Sequence, residues 1–193
     1  MDLCTYHSHC NFCDGKAPAE DFVRAAIEAG FHSYGISSHS PLPFETRWSL
    51  SKGNVEAYLM ELKRLQEKYA GQIELYVGME IDYLNDDWGP AVEYFQRMPL
   101  DYRIGSVHLV TEEQTGEIMD MDGKFEDFRE NLRMVFRDDL KYLVEAYFKA
   151  SSRMVELGGF DFVAHLDKIS MNGSLMDSTL TKQEWYNRLL WDY

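Results

Sequence analysis

Histidines and one glutamate recur in this sequence directly after short apolar runs. His7 and His9 form an H-x-H pair near the apolar Leu3-Cys4, and the later positions of this kind are His39, Glu80, His108 and His165. The apolar runs are rich in β-branched and aromatic residues, which predicts strands that end in these side chains. Imidazole and carboxylate are the usual ligands of Zn²⁺ and also suit Mn²⁺ and Fe²⁺. The repetition therefore predicts a centre for divalent transition metals.

Such a centre suits the hydrolysis of a phosphate ester. A carboxylate such as Glu80 can bridge two ions, and paired ions stabilise both the attacking and the leaving oxygen of an in-line displacement. A metal also brings the pKa of its bound water towards neutrality, so the protein need not supply a base. The expected partner is thus a small phosphorylated substrate.

The composition narrows the class of partner further. The chain has 193 residues and a net charge of −14, with 33 acidic and 19 basic residues. This balance argues against nucleic-acid binding, because phosphate backbones need clustered Lys and Arg. The length and the 45% hydrophobic content are typical of one compact domain. The sequence does not predict the oligomeric state.

The cysteines favour a reducing compartment. Cys4, Cys10 and Cys13 all lie near the start of the chain, and an odd number without framework spacing is typical of a cytoplasmic protein. Cys10-x-x-Cys13 could be a redox or zinc motif, but the sequence has no second C-x-x-C, so we expect it to line a loop near His9. We also expect neither a signal peptide nor a membrane span, since no apolar stretch approaches the ~20 residues that a bilayer requires.

Strand and helix patterns alternate along the chain. The spacing of apolar residues and of Gly and Pro predicts helices over 19–29, 54–69, 90–97 and 125–157, and strands over 34–37, 73–77, 102–107 and 160–164. A last helix is expected near Thr181, where Thr181-x-x-Glu184 has the form of a capping box. This alternation predicts a parallel sheet, in a barrel or a doubly wound arrangement. Ligand-type residues at every strand end favour the barrel, where chemistry gathers at the C-terminal ends of the strands.

The ordered motifs resemble those of the PHP (polymerase and histidinol phosphatase) superfamily. The matching segments are His7-x-His9 with Asp14-Gly15, Ser37-Ser38-His39-Ser40-Pro41, Gly78-x-Glu80, Tyr102-Arg103-Ile104-Gly105-Ser106-Val107-His108 and Ala164-His165. Within the superfamily, the monofunctional histidinol-phosphate phosphatases are the most similar. The resemblance implies a distorted (β/α)7 barrel of PHP type. It also implies hydrolysis of L-histidinol phosphate to histidinol and phosphate, in histidine biosynthesis, by attack of metal hydroxide on phosphorus.

The resemblance further implies up to three metal ions. By position, His7, His9 and Glu80 would hold the first ion; Glu80, His108 and His165 would hold the second. Asp14 and His39 would contribute to the third, although Asp14 on its own is typical of a turn residue. Arg47 and Arg103 are candidate phosphate ligands, with a solvated surface role as the alternative for each. His39 is a candidate acid only where it does not bind metal, and His32 is expected at the surface.

One motif of the superfamily is missing from the sequence. Relatives carry a further strand ending in D-x-H, whereas this sequence stops at Trp191-Asp192-Tyr193. We therefore expect a C-terminally truncated domain, with about five of the barrel strands present. Two alternatives stay open: another phosphoesterase activity, on a nucleotide or phosphotyrosine, and a metal-binding module that is inactive because D-x-H is missing.

Overall fold

The protein is described by a computed structural model that covers residues 2–193. Its strands are β1 (Leu3–Thr5), β2 (Phe31–Ile36), β3 (Glu74–Asp82), β4 (Tyr102–Ser106), β5 (Leu109–Thr111), β6 (Ile118–Asp120) and β7 (Phe162–Val163). Its α-helices are α1 (Ala19–Glu28), α2 (Val55–Lys68), α3 (Glu93–Gln96), α4 (Phe125–Phe136), α5 (Leu140–Leu157), α6 (Ile169–Met176) and α7 (Glu184–Asp192). Short 3-10 turns span Lys52–Asn54 and Leu180–Lys182. The predicted α/β class is confirmed.

Five strands form a parallel sheet in the order β1-β2-β3-β4-β7. The order follows the chain, interrupted only by β5 and β6, which pair with each other as an antiparallel hairpin. A doubly wound sheet reverses its strand order at a switch point, whereas a barrel adds each new strand next to the last one. The sequential order therefore supports the predicted barrel-type sheet.

Residue contacts divide the chain into two compact units. Unit 1 comprises Met1–Ile81, Pro90–Gly105 and Gly159–Phe162, and unit 2 comprises Asp82–Gly89, Ser106–Gly158 and Val163–Tyr193. Unit 1 contains most of the parallel sheet together with α1, α2 and α3. Unit 2 contains the hairpin and the remaining helices. That the whole chain forms one domain stays a prediction.

A tyrosine packs across the strands of unit 1 and holds them together. Tyr102 on β4 lies over Gly35 and Gly78. An added Cβ would lie 2.3 Å from the Tyr102 hydroxyl oxygen at Gly35 and 2.1 Å from Tyr102 Cζ at Gly78. Only glycine leaves this space at the two positions. The Tyr102 hydroxyl donates a 2.6 Å hydrogen bond to the carbonyl of Tyr6. The packing thus fixes the segment that leads into His7.

Unit 2 is built around the apolar faces of its two long helices. Phe128, Leu132 and Phe136 are the buried residues of α4, at spacings of four along the helix. On α5 the buried set includes Leu143 and Tyr147, again four residues apart. This spacing places each set on one helical face, as an amphipathic helix requires.

The helical stretch predicted over 125–157 consists of two helices, α4 and α5, separated by a short turn. The first helix ends at Phe136 because Arg137 and Asp138 adopt left-handed backbone conformations, with φ of 55° and 63°. The Asp139 side chain then caps α5 by accepting a 2.9 Å hydrogen bond from the backbone N–H of Tyr142. Arg and Asp are not strong helix breakers, so the sequence pattern does not indicate a turn at this position.

Other boundaries also differ from the predictions. The predicted capping box is wrong, since α7 begins at Glu184 after Gln183 and no side chain caps it. Glu80 lies inside β3 instead of beyond its end, and α3 has only four residues. The hairpin and α6 were not predicted. In the described part of the chain, no helix combines the length and apolarity that a membrane span needs.

Candidate metal centre

Glu80 lies at the middle of a histidine cluster in unit 1. Its carboxylate is fully buried, and its Oε2 lies 3.2 Å from His7 Nε2, 3.3 Å from His9 Nε2 and 3.1 Å from His39 Nδ1. Atoms bound to one tetrahedral zinc ion at about 2.0–2.1 Å lie about 3.3–3.4 Å from each other. The three separations from Glu80 match this spacing, and the ligand atoms of His9, His39 and Glu80 also lie within 4.8 Å of one another, so these three residues can hold one ion.

Backbone pairing brings His39 and Glu80 together. The two residues form a parallel β-bridge beyond the end of β2. The N–H of Glu80 donates to the carbonyl of Ser38 at 3.1 Å, and the N–H of Ser40 donates to the carbonyl of Glu80 at 2.7 Å. Adjacent parallel strands carry paired residues on the same face, so the imidazole and the carboxylate project together.

A buried tyrosine of α2 supports the same pair of strands. The Tyr58 hydroxyl accepts a hydrogen bond from the N–H of Ser38 and donates to the carbonyl of Gly78 at 2.7 Å. Tyr58 is fully buried, and burial raises the pKa of its phenol well above the usual value. The helix thus positions the residues just before His39 and Glu80.

The second nitrogen of His9 faces a thiol and a carboxylate. Its Nδ1 lies 3.5 Å from Cys13 Sγ and 3.5 Å from Asp14 Oδ1. Partners of this kind fix the tautomer of a metal-binding imidazole and leave Nε2 to bind the ion. Cys13 and Asp14 are thus placed to orient His9.

The electrostatics of the cluster favour a positive charge at its centre. Burial lowers the pKa of His9, but hydrogen bonds with Cys13 and Glu80 outweigh burial and raise the pKa to about 10. Burial likewise raises the pKa of the Cys13 thiol, and the hydrogen bond from His9 overcomes it and leaves the pKa below the usual value. A divalent cation would supply the charge that the buried Glu80 carboxylate requires.

Unit 2 contains a second group of possible ligands. Asp82 is fully buried, and its Oδ1 accepts hydrogen bonds from His108, at 3.0 Å from the backbone N–H and 2.8 Å from Nδ1. The His108 and His165 rings meet edge to face, with centroids 4.8 Å apart. Because Asp82 holds the proton on Nδ1, His108 presents the Nε2 lone pair as a ligand.

The predicted metal ligands form two clusters, one in each unit. His7, His9, Asp14, His39 and Glu80 gather in unit 1, and His108 and His165 meet in unit 2. Arg47 is exposed on the loop that follows His39. The guanidinium of Arg103 instead donates to the carbonyls of Phe95, Gln96 and Met98, so it clamps the end of α3. His32 is exposed beside Glu74, as expected of a surface residue.

Sequence reasoning missed two participants in these clusters. Asp82 was overlooked although Glu80-Ile81-Asp82 repeats the i, i+2 spacing of the H-x-H pair, which was the available signal. The only sequence signal for the contact of Cys13 with His9 was that the two residues lie close together along the chain. No single-sequence pattern would have distinguished Arg103, whose partners are backbone carbonyls.

Comparison with known protein families identifies the chain. The profile of the PHP domain family matches residues 5–192. The chain belongs to this family. The predicted superfamily is thereby confirmed.

Two curated relatives of this PHP chain carry a functional name. One is the "Probable histidinol-phosphatase" of Deinococcus radiodurans, 26% identical over a match covering 86% of this chain and 60% of the relative. The other is the "Histidinol-phosphatase" of Bacillus subtilis, 25% identical over 60% of this chain and 47% of the relative. The chain thus spans less than two thirds of the length of these relatives.

A solved structure shares the fold of this PHP chain. A crystal structure from Listeria monocytogenes superimposes with a TM-score of 0.77 and 22% identity, covering 98% of this chain and 79% of that protein. The five-stranded parallel sheet matches an incomplete barrel of PHP type. The predicted fold class is confirmed.

Proposed function

We propose that this chain is the metal-binding part of a phosphomonoesterase that hydrolyses L-histidinol phosphate to L-histidinol and phosphate. The observation that carries the proposal is the convergence of three imidazole nitrogens, 3.1–3.3 Å away, on one buried carboxylate oxygen of Glu80. The functional names of the two curated relatives support the choice of substrate. The acidic balance of the chain supports a small substrate over a nucleic acid.

The chain's own residues would divide the work of binding metal. His7, His9 and Glu80 would hold an ion in unit 1, with Asp14 and His39 contributing to a further one. In unit 2, His108 and His165 would be ligands. A bound divalent ion makes water a usable nucleophile near neutral pH and offsets the charge of the phosphoryl oxygens. The donor set suits Zn²⁺, Mn²⁺ or Fe²⁺, with up to three ions in all.

Several residues would act on the ligands or on the substrate. Asp82 holds the His108 ring in its orientation through the 2.8 Å hydrogen bond to Nδ1. Cys13 and Asp14 do the same for His9 in unit 1. Arg47, exposed after His39, has the planar fork that binds phosphate oxygens bidentately. We also propose a cytoplasmic location, supported by the three free cysteines.

The test is phosphate release from three substrates by the zinc- or manganese-loaded chain. We expect release from L-histidinol phosphate to exceed release from phosphotyrosine and from a nucleoside monophosphate. His9→Ala should abolish release, whereas His32→Ala, which removes an exposed histidine, should leave it unchanged. Phosphate release mainly from another ester would show that L-histidinol phosphate is not the substrate. Tight metal binding without phosphate release from any ester would show that the chain is a binding module.

A further inference from the structure

We propose that the Asp122–Lys168 pair of unit 2 recognises the two charges of the substrate. Lys168 would bind the phosphoryl oxygens, and Asp122 would bind the ammonium group of the amino alcohol. The proposal rests on the proposed function, because it presumes a substrate that carries both groups.

Among the described ion pairs that Lys and Arg form in unit 2, this one is the least exposed to solvent. Lys168 Nζ lies 2.9 Å from Asp122 Oδ2, and the side chains are 19% and 35% exposed. In the ion pair between Lys149 and Glu113 the side chains are 71% and 53% exposed. Partial burial reduces screening by water, so each charge of the shielded pair can bind an opposite charge more strongly.

Each member of the pair is anchored to one of the two histidines of unit 2. The residue before Asp122 is Met121, whose N–H donates to the carbonyl of His108 at 3.0 Å. The N–H of Lys168 donates to the carbonyl of His165 at 3.1 Å. The backbone segments that carry the pair are therefore held against the backbones of the two residues that we propose as metal ligands, and we expect the phosphoryl group to bind near them.

The loop that carries Asp122 is ordered by its own hydrogen bonds. Asp120 Oδ1 accepts from the N–H of Asp122 at 3.0 Å, and Asp122 Oδ1 accepts from the N–H of Gly123 at 2.8 Å. Although burial raises the pKa of Asp122, the hydrogen bonds from Lys168 and Gly123 outweigh it and leave the pKa below the usual value. Asp122 therefore stays charged at neutral pH and able to bind an ammonium group.

The opposite signs of the pair match the substrate. The phosphorylated amino alcohol proposed as substrate carries a phosphoryl anion and an ammonium cation on adjacent carbons. When the substrate binds, Lys168 exchanges the Asp122 carboxylate for the phosphoryl anion. Asp122 exchanges the Lys168 ammonium group for the ammonium group of the substrate. The cost of separating the pair is thus offset by two new charge-assisted contacts.

The experiment measures two probes separately, L-histidinol and inorganic phosphate, by calorimetric titration of the zinc-loaded chain. Asp122→Asn should weaken L-histidinol binding about tenfold or more. The same variant should bind phosphate as tightly or more tightly, because Lys168 loses its internal partner. Lys168→Met should weaken phosphate binding about tenfold or more, and Lys168→Arg should restore it.

Matched controls come from the exposed pair. Glu113→Gln and Lys149→Met remove the same charges within unit 2 and should change neither affinity. Equal weakening of both probes by Asp122→Asn would show a structural role and overturn the proposal. Unchanged affinities in Asp122→Asn and Lys168→Met would also overturn the proposal, as would a parent chain that binds neither L-histidinol nor phosphate.

The experiment also distinguishes the proposed function from the proposed role of the Asp122–Lys168 pair. Turnover of L-histidinol phosphate that is unaffected by both variants would keep the function and overturn the role of the pair. Opposite effects of Asp122→Asn on the two probes, without any turnover, would keep the role of the pair and overturn the enzymatic proposal.

Discussion

Two buried carboxylates of β3 serve the histidines in different ways. Glu80 faces three imidazoles through one oxygen, and its ligand atoms and those of His9 and His39 lie within 4.8 Å of one another, as the ligands of a common ion do. Asp82 accepts both hydrogen bonds from His108, which is the arrangement of a carboxylate that orients a ligand. Side chains two residues apart on a strand share a face, so one strand supplies both functions.

Replacing Asp82 with Asn should weaken zinc binding at His108. Asn retains an acceptor of similar shape but removes the charge that raises the basicity of the imidazole. Loss of such a partner costs about 10–100-fold in metal affinity. Competition with a chromophoric chelator would measure the change. Asp87→Asn, an exposed acid of the same unit, is the control, and equal zinc affinity in the two variants would contradict the assigned role.

At the scale of elements, the strands of unit 1 depend on glycines that admit the Tyr102 ring. An added Cβ at Gly78 would lie 2.1 Å from Tyr102 Cζ, and Gly53 has nothing within 4 Å of the same position. Gly78→Ala should lower the free energy of unfolding by about 1–3 kcal/mol, as overpacking does. Gly53→Ala should change it by less than about 0.5 kcal/mol. Urea denaturation of both variants would measure these values.

Gly78→Ala should also affect the binding of metal by the histidine cluster of unit 1. Displacement of Tyr102 would disturb its 2.6 Å hydrogen bond to the carbonyl of Tyr6, directly before His7. We therefore expect weaker zinc binding in Gly78→Ala under conditions where the variant remains folded. Unchanged stability and zinc affinity would show that Tyr102 has space to move aside.

The hairpin of unit 2 should contribute stability that depends on pH. Glu112 accepts hydrogen bonds from the hydroxyl and the N–H of Thr115, both at 2.7 Å, and from the Tyr142 hydroxyl at 2.9 Å. The bonds from Thr115 lead in lowering its pKa to about 2, from the ordinary value of 4.5. A carboxyl whose pKa is lower in the folded state stabilises the protein above the ordinary pKa.

This contribution should therefore be complete above about pH 4.5 and disappear as the pH falls towards 2. Denaturation of the parent chain and of Glu112→Gln between pH 7 and pH 3 would measure it. The difference in free energy between the two proteins should narrow as the pH falls. Glu117→Gln, an exposed acid of the same hairpin, should show no such narrowing, and a constant difference for Glu112→Gln would refute the assignment.

For the whole molecule, zinc binding should stabilise the folded chain. A ligand that binds only the folded state adds about 2.7 kcal/mol at a concentration 100 times its dissociation constant. Thermal unfolding with zinc and with a chelator would measure the shift. His9→Ala and Glu80→Gln should reduce the shift, whereas His32→Ala should retain it. An equal shift in all four proteins would place zinc at another site.

The fold class of this protein could be predicted from the periodicity of apolar residues in the sequence. Apolar runs ending in His7, His39, His108 and His165 predicted the α/β class, and the ordered motifs around these residues resemble the PHP superfamily; the class and the family are both confirmed. The roles of these residues as ligands stay predictions. The turn at Arg137 and Asp138 was not predicted, because neither residue type marks a helix end and left-handed backbone is uncommon for residues other than glycine.

The sequence by itself determined which side chains alternate onto one face of a strand, since that depends only on the geometry of the extended backbone. Only the tertiary structure decided that Arg103 binds carbonyls, that Asp82 holds His108, and that Lys168 meets Asp122. Each of these contacts joins different segments of the chain. Their partners are chosen by how the elements pack, and no local pattern in the sequence specifies that choice.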